Sequence, residues 1–173
     1  MFDVRDLSLQ YAVSDELFEV WTYLSENDLV NKVFCGDNIR DYTDFESELY
    51  DDFVFAVRYL DNLVGLVWLN TFENNTARIH FIVLPKSRLI LLKGGEEVIR
   101  RILDWRKGKT ILFHTLYGYV PIWNNGAIKY YKKLGFRHFV DIPDLAFDIK
   151  TGKRGFMSCS YINKEIFDEF FSN

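Results

Sequence analysis

The sequence predicts an α/β domain, a mixed central sheet with helices on both faces. Three observations carry that expectation. Runs rich in apolar, β-branched and aromatic residues at 53–59, 63–69 and 76–85 are separated by Asp61-Asn62 and Asn74-Asn75. Short runs of this kind joined by such turns read as antiparallel strands. Farther on, Val98, Ile102 and Trp105 form one helical row, with Ile99 and Leu103 beside it. Strand, long helix, strand and helix then succeed one another, which gives a right-handed crossover between parallel neighbours.

The 173 residues make one domain, spanning 1–173, and 49% hydrophobic content supplies a full core. A net charge of −4 argues against a partner bound by phosphate neutralisation, so nucleic acid is not expected. Charges interrupt every apolar run before it could span a membrane. Met1-Phe2-Asp3-Val4-Arg5-Asp6 lacks the basic and apolar regions of an export signal. Cys35 and Cys159 form no close motif, so two reduced thiols and a cytoplasmic protein are expected.

In chain order, Val4 to Val13 reads as a first strand of imperfect alternation. Ser14 caps a helix with Asp15 and Glu16 in its first turn and Leu17, Val20, Trp21 and Leu24 as its apolar stripe. Residues 27–40 are polar and irregular around Gly36-Asp37-Asn38. Thr43-Asp44-Phe45-Glu46 has capping-box form and opens a second helix to about Tyr50. Pro85 ends the third strand of the antiparallel run, since it offers no ladder N–H. Gly108 closes the long helix and Thr110 to Tyr117 is a strand. Phe136 to Val140 is another, Asp141 to Gly155 a loop or long hairpin, and Phe156 to Ile162 the last strand, before a short helix at 164–171.

The stretch from Trp123 to Phe136 is the most informative. Asn124 is a helix N-cap, with Trp123 and Ile128 placed for a hydrophobic staple. Ala127, Tyr131 and Leu134 share one face. Lys132 and Lys133 suit the helix C-terminus, and Gly135 with Phe136 suits a Schellman ending. The spelling Asn-x-x-Ala-x-x-Tyr-Tyr-Lys-Lys-Leu-Gly-Phe resembles the late helix of the GCN5-related N-acetyltransferases (GNAT), N-x-x-A-x-x-x-Y-x-K-x-G-F. Asn124, Ala127, Tyr131, Lys133, Gly135 and Phe136 match position by position. The resemblance covers about residues 4–162. It implies the GNAT fold, a mixed, mostly antiparallel sheet of about six to seven strands with helices on both faces. It also implies acetyl-CoA as cofactor, flanked by Asn124, Ala127 and the helix, with Tyr131 protonating the departing thiolate.

The same resemblance implies a pyrophosphate-binding turn after the strand ending in Val83-Leu84-Pro85. Lys86 and Arg88 fit it, but Leu91 and Lys93 stand where the family has small residues, and Gly94-Gly95 comes later. Two arrangements are open. The helix starts near Gly95, which puts Glu96 and Glu97 beside the phosphates. Or it starts near Arg88 and carries Gly94-Gly95 inside, at about 1 kcal/mol each relative to Ala, and Lys86, Arg88 and Lys93 hold phosphate by charge. The resemblance further points to a backbone N–H near Val83 and Leu84 for the acyl oxygen, and to the segment 27–43, with Phe34 and Tyr42, as the acceptor mouth. Gly65 sits where the family often has glycine in a hairpin.

For the chemistry, His80 is the nearest titratable group on that strand, and an unperturbed pKa of about 6.5 suits a general base. It reads equally as a half-buried strand histidine with a satisfied hydrogen bond. His114 is a second candidate, and His138 reads as surface. No metal-ligand spacing, nucleophile elbow or P-loop is present. The expected function is transfer of an acetyl group from acetyl-CoA to an amine of a small molecule or protein. The alternative is a GNAT-fold protein that no longer catalyses and serves as a binding or structural component. Such folds commonly form homodimers.

Overall fold

A computed structural model describes residues 2–6, 15–35, 39–50, 52–85, 88–149 and 151–172, with backbone only at 88 and 89. In chain order the elements are β1 (Phe2–Asp6), α1 (Asp15–Glu26), α2 (Val30–Val33), α3 (Tyr42–Glu48), β2 (Phe53–Tyr59), β3 (Asn62–Glu73) and β4 (Thr76–Val83). Then come α4 (Arg88–Leu103), β5 (Arg106–Lys107), β6 (Thr110–Ile111), β7 (Thr115–Pro121), α5 (Asn125–Lys133), β8 (Arg137–Asp148), β9 (Lys153–Asn163) and α6 (Lys164–Phe171). Seven strands form one sheet in the order β1-β2-β3-β4-β7-β9-β8, and β5 and β6 make a separate hairpin. Among the described residues only β4 and β7 pair in parallel, across the α4 crossover.

Each face of the sheet carries its own core. Phe55, Val57, Val64, Leu69, Ala77 and Ile79 pack against Val98, Ile102 and Leu103 of α4, Tyr131 and Leu134 of the α5 segment, and Phe167 of α6. Val54, Ala56, Leu66, Trp68 and Ile82 pack on the other side with Val20 and Leu24 of α1, Phe34, and Phe45 of α3. The period of two along the strands divides their residues between the two cores, and it explains why β2 to β4 read as nearly unbroken apolar runs.

Several local expectations are met for the expected reason. Asn74 and Asn75 both have positive φ, 47° and 61°, in the β3–β4 turn. A Cβ at Gly65 would lie 2.6 Å from the Ile82 carbonyl oxygen, so β3 and β4 approach there only because Gly65 has none. At the end of α5, Phe136 N donates to Tyr131 O (3.1 Å) and Gly135 N to Lys132 O (3.2 Å), with Gly135 at φ +84°. That is the Schellman pattern, and the Phe136 ring returns to Tyr131 at 4.6 Å between centroids.

Other expectations are corrected. The cap of α3 is Asp41, whose side chain accepts from Asp44 N at 3.0 Å, so the helix starts before Thr43. The long helix ends at Leu103, and Gly108 (φ +63°) turns the β5–β6 hairpin instead. The expected 110–117 strand is therefore split, with its second part beginning at Thr115. The side chain of Asn75 holds the intervening carbonyls of Ile111 and Leu112. Of the two readings for 141–155, the long hairpin is the one formed: β8 runs through Pro143 to Asp148 and pairs with β9, and as an edge strand it tolerates a residue without an N–H. The first strand is described as far as Asp6. Its expected extension to Val13, the Ser14 cap and the Gly36-Asp37-Asn38 turn lie outside the described residues.

Candidate functional site

The sheet opens in its middle. β4 and β7 pair over only three residues each, Thr76–Arg78 with Thr115–Tyr117. Beyond Arg78, β4 stays bound to β3 and β7 stays bound to β9, so the two strands part. Alternation fixes what faces the gap. Leu84 N donates to Val64 O (3.0 Å), so even-numbered residues at the end of β4 turn their backbone groups to β3. Ile79, Phe81 and Val83 therefore present N–H and C=O toward the gap, with no ladder across it.

Tyr131 sits at the apex of this split. Its hydroxyl donates to Ile79 O at 2.8 Å, where the next bond of the parallel ladder would have formed. The residue is 6% exposed, and burial pushes its pKa up, so the phenol is protonated throughout the physiological range. Gly118 of β7 makes room for the ring, since a Cβ there would run into it. Phe81 meets the rings of Tyr130 and Tyr131 edge-on, each at 5.5 Å. The sequence reading passed over Gly118 as a site residue, although a glycine inside an apolar strand marks a close approach.

Next to the split, Leu91, Leu92, Gly126, Lys129, Tyr130 and Lys133 line an open groove of about 290 Å³ between α4 and α5. A tighter space lies inward, reaching Phe81 and Val83 of β4 beneath Leu91, Gly94 and Gly95. Leu91 and Tyr130 border both, and they are tied together by the Tyr130 hydroxyl, which donates to Leu91 O at 3.0 Å. Asn124 caps α5 through its side chain, Ala127 N to Oδ1 at 3.2 Å, which places Asn124 and Ala127 at the groove end that Gly126 lines.

The long helix settles the open question at the pyrophosphate turn. α4 begins at Arg88 and carries Gly94 and Gly95 inside. Their N–H groups belong to the helix interior, so the pair does not form a phosphate-cradling turn, while both glycines line the inner space beside Phe81 and Val83. Gly94 instead lets the helix down onto Val57 and Phe2, where a Cβ would find atoms at 3.2 and 3.3 Å. Gly95 lets α4 meet α5, with Leu134 Cδ2 2.9 Å from a Cβ placed there. Lys93 is exposed. Lys86 and the Arg88 side chain lie outside the described residues. Of the two positions expected to hold the acyl oxygen, Leu84 is excluded because its N–H is taken by Val64 O, while Val83 faces the gap.

On the opposite face, His80 stacks on Trp68 with centroids 4.5 Å apart and planes 7° from parallel. Its Nε2 lies 3.1 Å from Asn70 Oδ1, and Asn70 Nδ2 donates to Asp52, so His80 is the donor. Burial first, and then the charge of Arg78, lower its pKa to about 3. So weak a base cannot take a proton from an amine, which corrects the general-base expectation. Phe34 is 4% exposed and stacks on the far side of Trp68, with centroids 5.8 Å apart. It is core, not the lining of a mouth, because α1 and α3 close over it. Tyr42 is half-buried and meets Phe18 edge-on at 5.5 Å. His114 is exposed, and His138 bonds Asp141 at the surface.

The sequence matches no family model and no curated protein. The structure does match. A spermidine N-acetyltransferase from Vibrio cholerae, solved in complex with CoA and spermine, superposes with a TM-score of 0.69 at 19% identity, over 96% of this chain and 97% of that one. The fold is that of the N-acetyltransferases. A proposed acetyltransferase of Salmonella typhimurium, solved with its cofactor acetyl-CoA, shares it at a TM-score of 0.63 and 13% identity, over 94% of this chain and 93% of that one. No described helix is long and apolar enough to cross a membrane. Cys159 is a free thiol, and Cys35 Sγ donates to Phe147 O at 3.0 Å.

Proposed function

We propose that this protein is an N-acetyltransferase that moves an acetyl group from acetyl-CoA to an amine by direct attack. The observation that carries the reading is the split between β4 and β7 with a protonated phenol at its apex. Acetyl-CoA supplies the acyl group activated as a thioester. The chain's own residues fit its parts. Phe81 and Val83 offer an unpaired strand edge to the amides of the cofactor's arm. The Val83 N–H is a donor for the acyl oxygen, a position where developing negative charge is stabilised. α4 begins at Arg88, and the free first-turn N–H groups of a helix suit a pyrophosphate. Lys129 and Lys133 on the groove wall suit the outer phosphates.

Tyr131 holds its proton against Ile79 O until a stronger acceptor, the departing thiolate, is presented beside it. Its raised pKa keeps that proton available. Tyr131→Phe is expected to lower turnover by about 100-fold, the scale of general-acid catalysis, while acetyl-CoA affinity stays nearly intact. An unchanged rate removes this role. The non-catalytic reading has support of its own in the Tyr130–Leu91 hydrogen bond, which lies across the way from groove to split. Millimolar acetyl-CoA that leaves thermal stability unchanged would favour it.

A further inference from the structure

One cation at the split has no counter-ion. Arg78 is the last β4 residue of the short parallel ladder and immediately precedes Ile79, whose carbonyl holds Tyr131. Its Nε is buried without a hydrogen-bond partner, and no carboxylate pairs with its side chain among the described residues. Asn70, opposite it on β3, commits its amide to Asp52 and His80. What Arg78 does have is the ring of Tyr119, 5.0 Å below its guanidinium carbon, a stacking that orients the fork without neutralising it. His80, Tyr117 and Cys159 all feel its charge. A buried N–H without a partner is costly, and here it belongs to the guanidinium's own Nε. An unpaired guanidinium held this way is a receptor for an oxyanion, which it takes through two parallel N–H donors.

Alternation places Arg78 with His80 on the α1–α3 side, opposite the face that carries Ile79 and Tyr131. An anion on Arg78 therefore lies one residue from the apex and across the sheet from the phenol. A small molecule held there by an anionic group brings its own amine within reach of the split. We propose that Arg78 selects the acceptor, and that the acceptor is an amine that also carries an oxyanion, a carboxylate or a phosphate. This rests on the acetyl-transfer reading and goes beyond it. It also separates this chain from its structural neighbours that act on spermidine, because a fixed cation at the acceptor face repels a polyamine.

The test is CoA release from acetyl-CoA with three acceptor sets, the twenty L-amino acids, O-phosphoethanolamine, and spermidine with spermine. Wild type, Arg78→Met and Arg78→Lys are compared, with acetyl-CoA binding to each measured by calorimetry. The expected result is an anionic amine used with kcat/KM at least about 10-fold above spermidine. Arg78→Met then raises KM for that amine by about 10- to 100-fold, the worth of a charged hydrogen bond. It leaves kcat and acetyl-CoA affinity nearly unchanged and erases the preference, and Arg78→Lys restores part of it. Use of amino acids or of O-phosphoethanolamine tells carboxylate from phosphate. Acetyl-CoA binding combined with equal or better use of polyamines overturns this inference alone, as does an unchanged KM in Arg78→Met. Absence of acetyl-CoA binding to wild type overturns the acetyl-transfer reading and this inference with it.

Discussion

The two helices flanking the split do their work with the same residue types but to different ends. α5 is built from local signals: an asparagine cap, a one-sided apolar stripe, and a glycine at positive φ that ends it. α4 carries its glycines in the interior, where they serve contacts with residues far away in sequence, Phe2 and Val57 for Gly94, Tyr130 and Leu134 for Gly95. A glycine that ends a helix can be understood from its neighbours along the chain. A glycine that lets a helix sink onto a sheet can be understood only once the sheet is known. The contrast explains why the late-helix motif is spelled in full while the pyrophosphate turn departs from the family pattern.

The comparison can be broken at several points. Leu134 joins the two helices and is fully buried. Leu134→Ala is expected to cost about 2–5 kcal/mol, the range for a buried leucine that leaves a cavity, as read from the urea midpoint. A loss below 1 kcal/mol would mean that α5 is not anchored through α4. On the other face, His80 contributes stability through its lowered pKa. The unfolded chain binds that proton near pH 6.5 and the folded one only near 3. Stability is therefore fully present above pH 6.5 and falls as pH drops toward 3, by about 1.4 kcal/mol per unit for this one group. His80→Gln should flatten that slope and leave the pH dependence of turnover unaltered. A rate limb that vanishes in the variant would restore the base role. Within α4 the two glycines should differ. Gly95→Ala meets Leu134 and Tyr130 and is expected to cost about 1–3 kcal/mol. Gly94→Ala meets atoms at 3.2 Å and farther, and gains about 1 kcal/mol of helix propensity, so it should fall near zero. Equal effects would show that α4 does not pack more closely on α5 than on the sheet.

How much could be read in advance follows the same division. The Schellman end of α5, the Asn74-Asn75 turn and the three antiparallel strands are set by short-range chemistry, and the sequence displays them. The family resemblance added the fold, and the solved neighbours share that fold. What could not be read is long-range. Nothing near His80 in sequence announces the Trp68 ring that buries it or the Asn70 amide that fixes its tautomer. Nothing near Phe34 shows that helices close over it. Leu84 and Val83 look alike in the sequence, yet one N–H is bonded to β3 and the other faces the gap, because register decides it. Arg78 gives no sign of its role in the sequence for the same reason, since an arginine in a strand looks ordinary until its partners in space are known.

The most direct measurement is an isothermal titration of the wild-type protein with acetyl-CoA, repeated after saturation with CoA. Saturable one-site binding that CoA abolishes is the predicted result, because both molecules carry the arm that is proposed to lie between β4 and β7. A flat titration at millimolar acetyl-CoA, with the protein folded by circular dichroism, would contradict the account.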